Sequence, residues 1–233
     1  MAPRALLGGG APGEFELHLL GEFRLQGGCR LPLPAQRVVA FLAVNDGPHR
    51  RDLVAEQLWP LRHAGAALAN LRQALHQERQ AGRRLIESDR ADLTLAPAVS
   101  IDYRYVSSQL RTREGLGDRL VPLLVDDLLP GWHDDWLLPI QERYRQLRLH
   151  GLHAIAEQAL CEDRLSDAID AALTAISSDP FHERPRALLI RAYLRERNLA
   201  AARREYQSYH RLLREELQET PSEELSSLIR LGD

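Results

Sequence analysis

Between residues 66 and 90 the sequence sets out side chains suited to reading a nucleic acid. Asn70, Gln73 and Gln77 carry amides that can pair bidentately with adenine, and His76 stands among them. Arg72 and Arg79 carry guanidinium groups that reach guanine or phosphate, and Arg90 follows on a separate polar tip. Two other groupings, His133-Asp134-Asp135 and the His150/His153 pair at i, i+3, hold potential metal donors. The first sits in a turn between Trp132 and Trp136 and the second lacks a third ligand at helical spacing, so neither is read as a metal site. The tryptophans and Tyr144 read as core and interdomain anchors. There is no GxSxG, HExxH, P-loop or GxGxxG, and nothing asks for catalysis or for a cofactor.

Residues 51–84 must position the amides and arginines, and they read as two helices in succession. The first, Asp52 to Trp59, has one apolar face and stops at Pro60, because the residue before proline is pushed out of the helical region. The second follows Arg62-His63-Ala64-Gly65 and runs to about Gln80, with Leu68, Leu71 and Leu75 as its buried stripe. At about 100° per residue, Ala66, Ala69, Asn70, Gln73 and Gln77 fall opposite that stripe, with Arg72, His76 and Arg79 nearer the flanks. Small residues at the front and amides behind suit a helix that enters a major groove. An ordinary solvated amphipathic helix has the same composition, so the flanking sequence has to decide.

The flanks supply a frame. Phe15, Leu17 and Leu19, then Phe23 and Leu25, alternate with polar residues around Gly21-Glu22, which predicts short antiparallel strands; Gly27-Gly28 reads as a turn and Arg30 to Leu33 as a further strand. Pro34 to Asn45 reads as a central core helix with proline in its first turn. After the two helices, Arg84 to Ser88 and Asp92 to Leu95 flank Asp89-Arg90-Ala91 as a β-hairpin. Strands, three helices and a hairpin make a winged helix.

Composition agrees with a folded, two-part chain. The 233 residues are 44% hydrophobic and 27% charged, with no apolar run near the ~20 residues of a membrane span. All 30 basic residues are arginine, and the net charge of −3 hides an asymmetry: residues 1–101 carry +2 and residues 102–233 carry −5. Residues 62–84 hold five arginines against Glu78, a modest basic footprint. Cys29 and Cys161 lie far apart in no metal or disulfide pattern and read as reduced thiols. Residues 1–13 read as a flexible leader and the whole as a cytoplasmic protein.

The segments LLGEFRL (19–25), AQRVVAFLAV (35–44), DLVAEQLWP (52–60), AALANLRQAL (66–75) and LIESDRADLTLAP (85–97) resemble the OmpR-type winged helix of the SARP/AfsR-type bacterial transcriptional activators. DDLLPGWHDDWLLPIQERYRQLRLHGLHAIAEQAL (126–160) resembles the start of the bacterial transcriptional activator domain that follows it in that family. The resemblance implies DNA contact through Asn70, Gln73, His76 and Gln77 at base edges, Arg72 and Arg79 at phosphates, and Arg90 at the wing. It also implies promoter DNA, often with directly repeated half-sites, and RNA polymerase, including its sigma subunit, as partners, and no cofactor. Glu78 departs from the pattern by taking the last place of the buried stripe, and Gln77 and Gln80 stand where arginine is common. That implies low phosphate affinity and a regulator that binds as a multimer or with a partner.

Beyond residue 102 the pattern is all-helical and repeats. Residues 163–175 align with 197–209 at an offset of 34, the tetratricopeptide period. Leu152, Ile155, Ala156, Ala159, Ala168, Ala172, Ala175 and Pro180 fall at signature positions of the first repeat, and Leu189, Tyr193, Ala202 and Tyr206 at those of the second. Ile190 and Arg214 depart from the pattern, so the last long helix runs on to about Gln218. Thr220-Pro221-Ser222-Glu223 reads as a capping box for a terminal helix. The expected fold is therefore an α+β winged helix at 14–101 followed by an all-α tetratricopeptide-like domain at 102–231. The expected function is DNA-binding transcriptional activation without enzymatic activity, with a possible homodimer and no membrane association. A helical-repeat adaptor whose winged helix binds protein is the alternative.

Overall fold

The computed structural model describes residues 15–27, 30–82, 84–112 and 118–231. The expected leader, Cys29 and the second glycine of the Gly27-Gly28 turn lie outside them. Contacts divide the chain into two compact units, residues 1–108 with 126–144 and residues 109–125 with 145–233.

The first unit is built around α1 (Leu33–Val44), whose Ala35 and Val38 to Ala43 are all buried. Pro34 sits in its first turn, where a missing N–H costs nothing. Asn45 ends it by donating its side-chain N–H to the Phe41 carbonyl at 2.9 Å, and Gly47 then turns the chain at φ +87°. Arg30 to Leu33, expected as a strand, is not one: Pro32 is the N-cap of α1 and Leu33 its first residue. Apolar alternation over four residues, with Pro32 among them and Pro34 next, does not distinguish a strand from a helix entry.

Strands β1 (Phe15–His18) and β2 (Arg24–Leu25) pair antiparallel as expected, Leu17 opposite Leu25. The sequence gives no sign that β6 (Val99–Ile101) closes this sheet parallel to β1, Leu17 beside Ile101. Asp102, at the start of α4 (Asp102–Thr112), fixes that arrangement by accepting the Leu19 and Leu20 N–H groups at 2.9 and 3.3 Å. The hairpin forms between β4 (Ile86–Ser88) and β5 (Asp92–Leu95), with Ser88 opposite Leu93. A third strand, β3 (His49–Arg50), pairs with β5 and joins the wing to the helix that follows it.

Residues 126–144, which the sequence aligns with the second domain, pack by contact with the first unit. The Leu129 N–H bonds the Leu19 carbonyl at 2.8 Å, Trp132 stacks on Phe23 at 6.1 Å, and Trp136 and Phe41 pack in a T-shaped arrangement with ring centres 5.2 Å apart. Asp134 is the ion-pair partner of Arg37 on α1, which also donates to the Leu58 carbonyl at 2.8 Å. The His133-Asp134-Asp135 turn is therefore committed to structure, and no set of three metal donors occurs among the described residues.

The second unit is helical. It takes α5 (Leu138–Cys161) from Arg145 onward, then α6 (Leu165–Ser178), α7 (Glu183–Arg195), α8 (Leu199–Glu216) and α9 (Glu223–Leu231). Two of its helix turns, α5 to α6 and α7 to α8, are alike: Asp163 and Arg197, 34 residues apart, both have φ +58°. The next N–H in each turn, of Arg164 and of Asn198, bonds back to the carbonyl of Ala159 and of Tyr193, each at 2.8 Å. Leu152, Ile155, Ala156, Ala159, Ala168, Ala172, Ala175, Leu189 and Ala202 are buried, while Tyr193 and Tyr206 are half-buried. Small residues at these places let neighbouring helices approach closely. The terminal cap differs from the expected box. Ser222, not Thr220, accepts the Leu225 N–H, and the reciprocal carboxylate comes across from Glu183 of α7, which holds the Ser222 N–H at 3.0 Å.

Among the described residues, no helix is long and apolar enough to cross a membrane.

Candidate nucleic-acid interface

Helices α2 (Arg51–Leu58) and α3 (Ala64–Gln80) form the pair foreseen at 52–59 and 66–80. Their connection is short because Pro60 blocks continuation of α2 and the His63 Nδ1 accepts the Ala66 N–H at 3.2 Å to start α3. Arg37 secures the geometry from α1, reaching the last carbonyl of α2 with its guanidinium carbon 5.8 Å from the Trp59 ring centre.

The buried side of α3 differs from the expected stripe. It consists of Ala67, Leu71, Ala74, Leu75 and Glu78, and Leu68 is only half-buried. Turning by about 100° per residue, this rotates the outward direction to a point between Gln73 and His76. Gln73 and His76 lie within about 40° of that point, Arg72 and Arg79 about 65–85° to one side, and Asn70 and Gln77 about 75–95° to the other. Exposure follows: Arg72, Gln73, His76 and Arg79 are exposed, whereas Asn70 and Gln77 are half-buried and the Gln77 Oε1 is enclosed without a hydrogen-bond partner. Asn70 was expected opposite the stripe and His76 at a flank; their places are exchanged. Apolar count alone favoured Leu68 over Ala67, and the alanine is the residue that fits against the neighbouring helices.

Glu78 is the one acidic residue of α3, and it is 1% exposed. Its Oε1 accepts the Leu85 N–H at 2.5 Å, tying the end of α3 to the start of the wing. Burial raises its pKa above the ordinary carboxylate range, against the opposing effect of the Leu85 and Ile86 N–H groups. The exposed face of α3 therefore carries arginine, glutamine and histidine with no carboxylate.

Arg90 is exposed on the wing tip, where its N–H bonds the Asp89 carboxylate at 2.6 Å. The wing is braced on α2: the Arg51 N–H donates to the Ala91 carbonyl at 2.9 Å, and its guanidinium to the Ser88 Oγ at 2.8 Å. Arg50 and Arg51 were not nominated from sequence. The available signal was two adjacent arginines immediately before a helix, and only the pairing of β3 with β5 shows that they stand beside the wing.

The first unit is thus a winged helix whose α3 presents amide and guanidinium groups outward, and a helical unit follows it. Residues 123–230 match the family described as the bacterial transcriptional activator domain. With the winged helix before it, the chain resembles the SARP-type bacterial transcriptional activators in make-up. Among solved structures, it is similar to "Mycobacterium tuberculosis EmbR in complex with low affinity phosphopeptide", with a TM-score of 0.67 and 18% identity over 94% of this chain. The similarity spans 64% of the EmbR chain's length. No curated protein matches the sequence.

Proposed function

We propose that this protein is a sequence-specific DNA-binding transcriptional activator that holds promoter DNA through α3 and the wing and recruits RNA polymerase. The observation that carries the reading is the outward face of α3, where Gln73 and His76 are flanked by Arg72 and Arg79 and the helix's single carboxylate is buried. Gln73, with His76 beside it, reads base edges; Arg72, Arg79 and Arg90 bind phosphates. Asn70 and Gln77, half-buried on the far flank, make subsidiary contacts. The repeat surface of the second unit, tetratricopeptide-like in its period, is the docking platform for polymerase, its sigma subunit included, and for a second copy of the chain on directly repeated half-sites. Two linked winged helices bind such a site more tightly through effective concentration. The protein acts in the cytoplasm, where bacterial promoters are.

Binding of the full chain to random duplex and to duplex selected from a randomised pool, measured across a salt series, tests this. Neutralising three to four phosphates gives a slope of about −3 in log affinity against log salt. A flat salt response with no selected sequence refutes the DNA reading and leaves the protein-binding adaptor in its place.

A further inference from the structure

Helix α8 turns a cationic face outward. At about 100° per residue, Arg203, Arg204, Arg211 and Arg214 all fall within about 50° of one direction, near that of Gln207, and all four are exposed. Glu205 and Glu216 point about 150–170° away from that direction and Glu215 about 70°. The buried residues of the helix, Ala201, Ala202, Tyr209 and Leu213, lie on the other side. Arg204, Arg211 and Arg214 have no ion pair among the described residues, and Glu205 is taken by Arg186 of α7. Cations near the end of a helix offset its macrodipole, which accounts for Arg214. It does not account for Arg203 and Arg204 near the start, nor for Arg211 and Arg214 standing three residues apart, where like charges repel. An ordinary solvated face mixes its signs, as the groove between α5, α7 and α9 does: there Arg184 pairs with Glu157 at 2.7 Å, and Arg191 stands among Glu183 and Glu224. The α8 face instead gathers arginine alone, within residues 102–233, whose net charge is −5.

The face is also shaped. Tyr206, Gln207, His210, Arg211, Arg214 and Glu215 line an open hollow of about 760 Å³. Tyr206 is held at one side of it, its hydroxyl 3.0 Å from the Ser226 Oγ of α9 and its ring 6.3 Å from that of His210. We propose that the outward face of α8 docks an acidic segment of a partner protein, with carboxylates on the arginines and one apolar side chain in the hollow beside Tyr206. The length suits a short segment: Arg203 to Arg214 spans about 16 Å, three helical turns or about five residues of extended chain. Tyrosine and arginine around a hollow are the composition of a protein-binding centre. Glu215 at the rim disfavours a nucleic-acid backbone, which offers anionic acceptors alone and is repelled there, whereas a peptide also offers N–H donors. The inference goes beyond DNA binding and holds whether or not α3 reads bases.

The test titrates a synthetic peptide into the full chain, labelled with nitrogen-15, across a salt series. The peptide has about twelve residues, enough to cover three helical turns, with glutamate at every third or fourth place and a central leucine; its glutamine analogue and a random duplex are the comparators. The acidic peptide shifts the backbone amide and arginine Nε resonances of residues 203–215, its affinity falls as salt rises, and the glutamine analogue leaves those resonances in place. Arg211→Glu with Arg214→Glu lowers the peptide's affinity at these resonances by about tenfold, and Arg211→Gln with Arg214→Gln lowers it by less. Both variants bind selected duplex as the wild type does. Peptide shifts confined to α3 and the wing, shifts reproduced by the glutamine analogue, or an unchanged affinity in both variants overturn the docking face. Shifts of the same α8 resonances by the random duplex, weakened in both variants, make the face a nucleic-acid contact. A wild-type dimer in sedimentation that both variants dissociate makes it an interface between copies of this chain, and either of these results overturns the proposal.

Discussion

Replacing Gln73 with alanine separates base reading from phosphate binding more cleanly than any other change on α3. Gln73 is exposed and lies about 35° from the outward direction of the helix, so its amide reaches the floor of a groove that α3 enters. Asn70, one turn earlier in chain order and chemically equivalent, is half-buried and about 95° away, so its amide reaches a wall at best. A good bidentate contact is worth about 1–3 kcal/mol of discrimination, which corresponds to about 5- to 150-fold in the ratio of selected to random binding. Gln73→Ala should lose that ratio with the salt slope unchanged, and Asn70→Ala should lose much less. Arg72→Ala should do the converse, weakening both duplexes by the same factor and lowering the slope by about 0.9. Anisotropy titrations at four salt concentrations, with far-ultraviolet circular dichroism to confirm folding, give all three quantities. If Asn70→Ala costs as much discrimination as Gln73→Ala, the rotation of α3 described above is wrong. If Gln73→Ala and Arg72→Ala weaken both duplexes equally, α3 does not read bases.

Three further outcomes follow from buried charge. Burial, with His182, Arg184 and His150 adding to it, lowers the His153 pKa to about 4 against 6.5 for a free imidazole. Its neutral form is therefore favoured on folding, and stability falls as pH drops from about 6.5 toward 4 by roughly 3 kcal/mol; His153→Phe should flatten that part of a urea-midpoint profile. Glu78 shifts the other way, its folded pKa raised by burial, so its penalty grows as pH rises through the unfolded and then the folded value. Glu78→Gln should gain stability relative to wild type at pH 8 and lose that advantage at pH 4, and an equal difference at both would show that folding does not raise the Glu78 pKa. Arg186 is 6% exposed, paired with Glu205, bonded to the Pro180 carbonyl at 3.1 and 2.9 Å, and 4.7 Å from the Tyr209 ring centre. Glu205→Gln strands most of a buried charge and should cost about 3 kcal/mol in chemical denaturation.

The elements with strong local signals were legible in the sequence because the forces that make them are local. Pro60 ends α2 by steric clash wherever it is placed, Asp89-Arg90-Ala91 turns the wing between two alternating strands, and the 34-residue offset fixes two identical helix turns through Asp163 and Arg197. The amide and guanidinium groups proposed to contact DNA could also be named from the sequence, since that chemistry belongs to the side chain itself. Their ranking was not. Whether Asn70 or His76 faces outward depends on which flank of α3 is covered, and that was decided by α1 and α2 preferring Ala67 and Ala74 to Leu68. Long-range pairing decided the rest. β6 joins β1 across more than 80 residues, β3 brings Arg50 and Arg51 to the wing, and Glu183 rather than a neighbour supplies the carboxylate that completes the Ser222 cap of α9. Glu78 shows the division most clearly: its position in the buried stripe could be counted along the helix, but its role as the acceptor for Leu85, and hence its removal from the exposed face, required the wing to fold back against α3. Local sequence specifies which groups are available, while burial and distant hydrogen bonds determine which of them remain free to act.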